Sequence, residues 1–133
     1  MTSISLTQSR QPSTKRVWIA QGVLAALFLL AGGTKLVMPA ATLAAQSHMP
    51  GGFIKFIGVC ETLGALGLIL PGVFRTQERL TPLAAAGLTI IMIGAVVTTL
   101  AQGQGPAAVL PAVVGVMTTY VARIRSRQAL SAE

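Results

Sequence analysis

Residues 53–74 read F-I-K-F-I-G-V-C-E-T-L-G-A-L-G-L-I-L-P-G-V-F, an apolar run with one acid, Glu61, inside it. About 20 such residues suffice for a helix to cross a bilayer, and a carboxylate held at that depth is costly. Its charge must be met by a partner from the protein itself. A run of this kind argues for a helix in lipid rather than a strand or a soluble core.

Composition supports the same solvent. Of the 133 residues, 53% are hydrophobic and only 10% charged, with a mean hydropathy of +0.72. Soluble domains carry about 25% charged residues, so this chain has too little polar surface to cover a globule in water. The net charge of +7 does not point to nucleic acid, because the basic residues stand at the ends of apolar runs and not in a patch interleaved with aromatics. The single Cys60 excludes an internal disulfide and reads as a small buried hydrophobe.

Working outward from residues 53–74, three further spans are expected, at about 17–37, 80–101 and 107–124. Residues 1–16, polar and basic, read as a disordered cytoplasmic tail, and residues 125–133 as a second, soluble one. Residues 38–52, with Pro39, Pro50, Gly51 and Gly52 and no charge, read as an outer loop; His48 lies there with no second ligand to make a metal site. Arg10, Lys15 and Arg16 precede the first span, Arg75 and Arg79 join the second to the third, and Arg123, Arg125 and Arg127 close the fourth. The other two connections have no Lys or Arg. Basic residues stay on the cytoplasmic side, so the expectation is an all-α integral membrane protein, an antiparallel four-helix bundle with both termini cytoplasmic.

Small residues mark helix contacts in lipid. Gly58, Gly64 and Ala65 share the face of Glu61; Lys35 shares one with Phe28, Ala31, Gly32 and, further down, Gln21. Stripes of Ala84, Gly87, Gly94 and Thr98, and of Ala112, Gly115, Thr118 and Thr119, are expected to complete the contacts. At about 1.5 Å per residue, Lys35 sits roughly 3 Å and Glu61 about 12 Å below the outer boundary. Side chains lean toward the N-terminus of their own helix, so these two lean toward each other. A buried or half-buried Lys35–Glu61 ion pair in a cavity opening outward is expected, with Lys55 reaching to the interface. Such a pair either fixes helix register or binds a polar ligand head or a proton. Gln21, Gly58, Thr98 and Thr99 are the candidate ligand-binding neighbours, and Glu61 and Lys35 the candidate catalytic groups.

The segments A-G-G-T-K-L (31–36), I-G-V-C-E-T-L-G-A-L-G-L-I-L-P (57–71) and L-T-P-L-A-A-A-G-L-T-I-I-M-I-G-A-V-V (80–97) resemble, in this order, the DoxX-like family of small four-helix membrane proteins. The resemblance covers roughly residues 17–123. It implies an inner-membrane protein; some family members are described as the small membrane subunit of a thiosulfate:quinone oxidoreductase or as partners in redox complexes, and a related animal branch assists ion-channel assembly. Lys35 and Glu61 match the family's polar pair. Many members carry a His where this chain has about Thr99, a departure that argues against haem ligation.

The first functional expectation is therefore a DoxX-like protein that binds a small amphipathic or quinone-like molecule near Lys35 and Glu61, as a subunit of a membrane redox assembly. With no flavin, haem, iron–sulfur or metal motif, the cofactor would be none intrinsic, a quinone being the candidate; the redox centre would come from a partner protein. The alternatives are a stand-alone isomerase or cyclase using Glu61 as acid and base on a lipophilic substrate, a proton-coupled transporter, as a homo-oligomer, and an assembly factor.

Overall fold

A computed structural model describes residues 14–77 and 79–131. The expected N-terminal tail therefore lies outside the described residues as far as residue 13, as do residues 132 and 133. The elements are α1 (Thr14–Val37), α2 (Ala40–Ser47), α3 (Gly51–Phe74), α4 (Leu80–Ala101), a single 3-10 turn at Pro106–Ala108, and α5 (Val109–Ser131). Of these, α1, α3, α4 and α5 are long and apolar enough to span a membrane.

Two expectations about the connections and ends need correction. The segment expected as a loop at 38–52 contains α2, an Ala-rich helix of a composition that favours helix strongly. Pro39 starts it from an extended backbone and its carbonyl accepts from Thr42 and Leu43 N–H at 3.1 and 3.2 Å. His48 ends it in the left-handed region at φ 58°, its N–H donating to Ala44 O. The segment expected as a soluble tail at 125–133 is helical as far as Ser131. Its last turns have something to pack on: the Arg125 guanidinium lies 5.3 Å from the Trp18 ring centre and donates from Nε to Gln21 Oε1 at 2.6 Å.

The helices pack as two close pairs, α1 with α3 and α4 with α5, joined by the α3–α4 contact. Each turns a narrow stripe inward. On α3 the stripe is Ile54, Gly58, Glu61, Ala65, Leu68 and Pro71, spaced by three and four residues as one helix face requires. The core between the helices holds Leu24, Phe28, Ala65, Leu68, Leu88 and Val121. Outside it, Ile19, Leu30, Ile90 and Val116 are each 67–70% exposed, a surface that water would not tolerate and lipid does.

The small-residue stripe expected on α4 is displaced by about one residue, roughly 100° of rotation. The buried face is Thr81, Ala85, Leu88 and Met92, while Gly87 and Gly94 look onto open space. The reason is that a small residue on one helix receives a large one from the next. A Cβ at Gly64 would stand 2.7 Å from Leu88 Cδ2, and one at Gly115 would stand 3.2 Å from Met92 Cβ. On α5 the expected stripe holds for Thr118 and Gly115 but Ala112 is exposed, and Val114 and Val121 fill the face.

The long helices α1 and α3 come into backbone contact with each other. A Cβ on Gly32 would lie 2.7 Å from Gly58 O and 2.6 Å from Thr62 Oγ1; one on Gly58 would lie 2.9 Å from Lys35 Cβ and 3.1 Å from Gly32 O. Backbone stands against backbone there. Gly32→Ala and Gly58→Ala should each lower stability by about 1–3 kcal/mol through overpacking. Gly87→Ala and Gly94→Ala should be neutral or stabilising by up to about 1 kcal/mol, as Ala replacing Gly in an open helix position. Thermal unfolding of the four variants in detergent micelles measures this; equal melting of Gly32→Ala and Gly94→Ala would refute the crossing.

Candidate functional site

The Gly32–Gly58 crossing decides what happens one turn further along each helix. Lys35 lies in the last turn of α1, where a cation also meets the negative end of the helix dipole. Its stem leaves across Gly58 and its ammonium arrives at Glu61, one turn along α3. Lys35 Nζ donates to Glu61 Oε1 at 3.0 Å and to Oε2 at 2.7 Å. Glu61 is only 3% exposed, whereas the Lys35 side chain keeps 29%. The carboxylate is closed in and its counter-ion faces outward, so the route to Glu61 runs past Lys35.

Gly58 thus belongs to the site as the lane in which the lysine stem lies. Thr62 lines the same crossing and donates to Gly58 O at 2.9 Å. Lys55, also at this end, donates to Leu36 O at 3.4 Å, near the C-terminal end of α1. That contact satisfies one of the terminal carbonyls that the helix itself leaves without a donor.

Gln21, expected as a ligand-binding neighbour of the pair, is at the other end of α1, roughly 21 Å of helix rise away. It is 1% exposed. Its Nε2 donates to Leu68 O, and its Oε1 accepts from Arg125, which in turn donates from Nη1 to Gln128 Oε1 at 2.8 Å. Gln21 therefore ties α1 to α3 and α5. The signal for this second polar cluster was present in the sequence: an amide inside an apolar run must find both a donor and an acceptor, and Arg125 and Trp18 are the polar groups available at that depth.

Thr98 and Thr99 are not brought to the pair either. They sit on α4, which packs chiefly on α3 and α5, and Thr98 donates to its own helix at Gly94 O and Ala95 O, 3.0 and 3.1 Å. Short hydroxyl side chains in apolar helices commonly do this. Thr89 and Thr118 instead join α4 to α5 through a hydroxyl contact of 2.9 Å. Among the described residues, no three His, Cys, Asp or Glu side chains gather into a metal site.

Chemically, the Lys35–Glu61 site offers a fixed, buried negative charge and an ammonium with three N–H donors, two of them directed at Glu61. Among the described residues the third has no acceptor. The arrangement is suited to donating a hydrogen bond to a carbonyl or other neutral acceptor arriving from the lipid side. It is less suited to proton abstraction by Glu61, both of whose oxygens already accept from Lys35.

Comparison with known proteins gives a match to the DoxX-like family over residues 19–121, the stretch that contains Lys35, Glu61 and the glycine crossing. Neither the curated proteins nor the solved structures gave a match.

Removing one member of a buried pair leaves the other charge uncompensated, at a cost of about 3–5 kcal/mol. Lys35→Met should therefore unfold or strongly destabilise the protein, while Lys35→Met combined with Glu61→Leu should recover most of the loss. A double-mutant cycle from thermal unfolding reads the coupling; additive single effects would mean that the pair carries no energy.

Proposed function

Because the chain belongs to the DoxX-like family, we propose that it binds a small amphipathic, quinone-like molecule beside Lys35 and serves as a membrane subunit of a redox assembly. The observation that carries the reading is the outward-facing ammonium over a closed carboxylate: Lys35 at 29% exposure, Glu61 at 3%. A quinone head presents carbonyl oxygens that accept hydrogen bonds and a tail that prefers lipid. Lys35 supplies the donor, Glu61 holds it at one position, and the apolar outer surface of α1 takes the tail. In this reading the electrons come from a redox group on a partner, and this chain contributes orientation and a hydrogen bond.

In the same reading the protein is an antiparallel bundle of the inner membrane with both termini in the cytoplasm. The supporting observation is the distribution of Arg75, Arg79, Arg123, Arg125 and Arg127 against the uncharged 102–106 connection. Arg75 and Arg125 line one small cavity with Trp18 and Thr81, so the basic ends of all four long helices gather on one side.

A second reading is favoured by the glycine crossing. The pair would then act as a pin that holds α1 and α3 in one register, without a ligand. Native mass spectrometry of protein extracted gently from its own membrane separates the two, comparing wild type with Glu61→Gln and with the Lys35→Met, Glu61→Leu double variant. A small molecule retained by wild type and absent from both variants supports ligand binding. Bare wild-type protein, or a molecule retained equally by the folded double variant, supports the pin.

A further inference from the structure

The polar groups around Lys35 and Glu61 are sorted by kind, with donors toward the exposed side and acceptors already engaged. Two of the three Lys35 N–H groups go to Glu61, at 2.7 and 3.0 Å, and among the described residues the third has no acceptor. Both Glu61 oxygens accept from Lys35, and the carboxylate is 3% exposed against 29% for the lysine side chain. An occupant arriving at the pair therefore meets the ammonium and is kept from the carboxylate.

The remaining oxygens of this end are engaged or turned away. Thr62 Oγ1 donates to Gly58 O at 2.9 Å and is pressed on Gly32, whose added Cβ would stand 2.6 Å from it. The Leu36 carbonyl accepts from Lys55 Nζ at 3.4 Å. Thr34 donates to Leu30 O and Ala31 O, each at 2.9 Å, and stands roughly 100° around α1 from Lys35. Along α3, Glu61 comes between Gly58, which abuts Lys35, and Thr62, which abuts Gly32. The ammonium thus turns back along α1, while the carbonyls that end the helix point the opposite way. The chain's other two acids are remote in sequence: Glu78 adjoins Arg79 beyond the far end of α3, roughly 20 Å of helix rise from Glu61, and Glu133 follows the end of α5.

We propose that this site selects its occupant by hydrogen-bond polarity, taking a lipophilic head that carries acceptor oxygens and no O–H donor. Of a quinone couple it holds the oxidised, dicarbonyl form and rejects the reduced, dihydroxy form. The inference rests on the reading of Lys35 as a quinone-like site and says which member of the couple fits. The two forms differ by two electrons and two protons, and the protons appear as the two O–H groups. A carbonyl oxygen accepts the third Lys35 N–H and leaves nothing unpaired. A ring hydroxyl that accepts the same N–H keeps its own proton without an acceptor among the described residues, and a donor buried in that state carries the full cost of its lost hydration. Sites built to one hydrogen-bond pattern reject the wrong partner more strongly than apolar shape alone does. A tighter hold on the oxidised form also lowers the midpoint potential of the bound couple, by about 30 mV for each tenfold difference in affinity at two electrons.

The test uses the full chain in detergent micelles, given either decylubiquinone or, under argon, decylubiquinol, and read by native mass spectrometry. Decylubiquinone should be retained at one molecule per chain and at least about tenfold more strongly than the quinol. In a redox titration of the same sample, the bound couple should lie at least about 30 mV below the free couple. Lys35→Gln with Glu61→Gln replaces the ion pair by two amides that both donate and accept; it should hold the two forms within about twofold of each other, and circular dichroism confirms that it is folded. Equal or tighter retention of the quinol by wild type overturns the proposal and leaves the quinone-like reading standing, whereas retention of neither form removes both. A preference for the quinone that persists in the folded double variant also overturns it, because donor-only polarity would then not be the cause.

Discussion

A carboxylate inside an apolar helix is the constraint from which the rest of this structure follows. Glu61 cannot be hydrated in the hydrocarbon region, so the protein must bring a cation to it. Lysine has the reach, but only if the two helices lie close together one turn away. Gly32 and Gly58 supply that closeness, with backbone contact that a methyl group at either position would disturb. The ion pair and the glycine crossing are therefore one device, in which the crossing sets the distance that the pair spans.

The same helix performs a second task at its other end. α1 carries Lys35 near its C-terminus and Gln21 near its start, and through Gln21 it holds Leu68 of α3 and Arg125 of α5. Hydrogen bonds of this kind are made where water cannot compete, and each leaves an unsatisfied group if broken. The interior between these two polar ends is apolar, filled by Leu24, Phe28, Leu68 and Leu88. The α4–α5 pair is different in kind. Its contacts are chiefly apolar, supplemented by the Thr89–Thr118 hydroxyl contact, and a groove remains open on its outer side. The two halves thus divide the chemistry, with a closed charge site on α1 and α3 and an open furrow on α4 and α5.

Packing in lipid explains why small residues alone do not mark the buried face of α4 and α5. In water, apolar periodicity identifies the buried side because the exposed side is polar. In a bilayer both sides are apolar and small residues mark contact only when the neighbouring helix needs the space. Gly64 makes room for Leu88 and Gly115 for Met92, but Gly87 and Gly94 make room for nothing within the chain.

The sequence by itself determined the solvent, the four spans, the family and the two members of the charge pair. Each of these depends on local quantities: run length, charge count, motif order, and the cost of one acid in an apolar segment. The bounds of α4 were readable at both ends, because Arg79 and the Gln102–Gly103 turn interrupt the run sharply. α2 and the final turns of α5 were not readable. The helix bias of A-A-T-L-A-A-Q-S was masked by the flanking prolines, which here act as starts and not as breaks, and the last turns of α5 are held by Arg125 on a helix more than a hundred positions away. For Gln21, Thr98 and Thr99, helical spacing gives a face but not a neighbour. Only the tertiary arrangement decided that Gln21 meets Arg125 and that a groove lies between α4 and α5, because each depends on how far apart two helices stand.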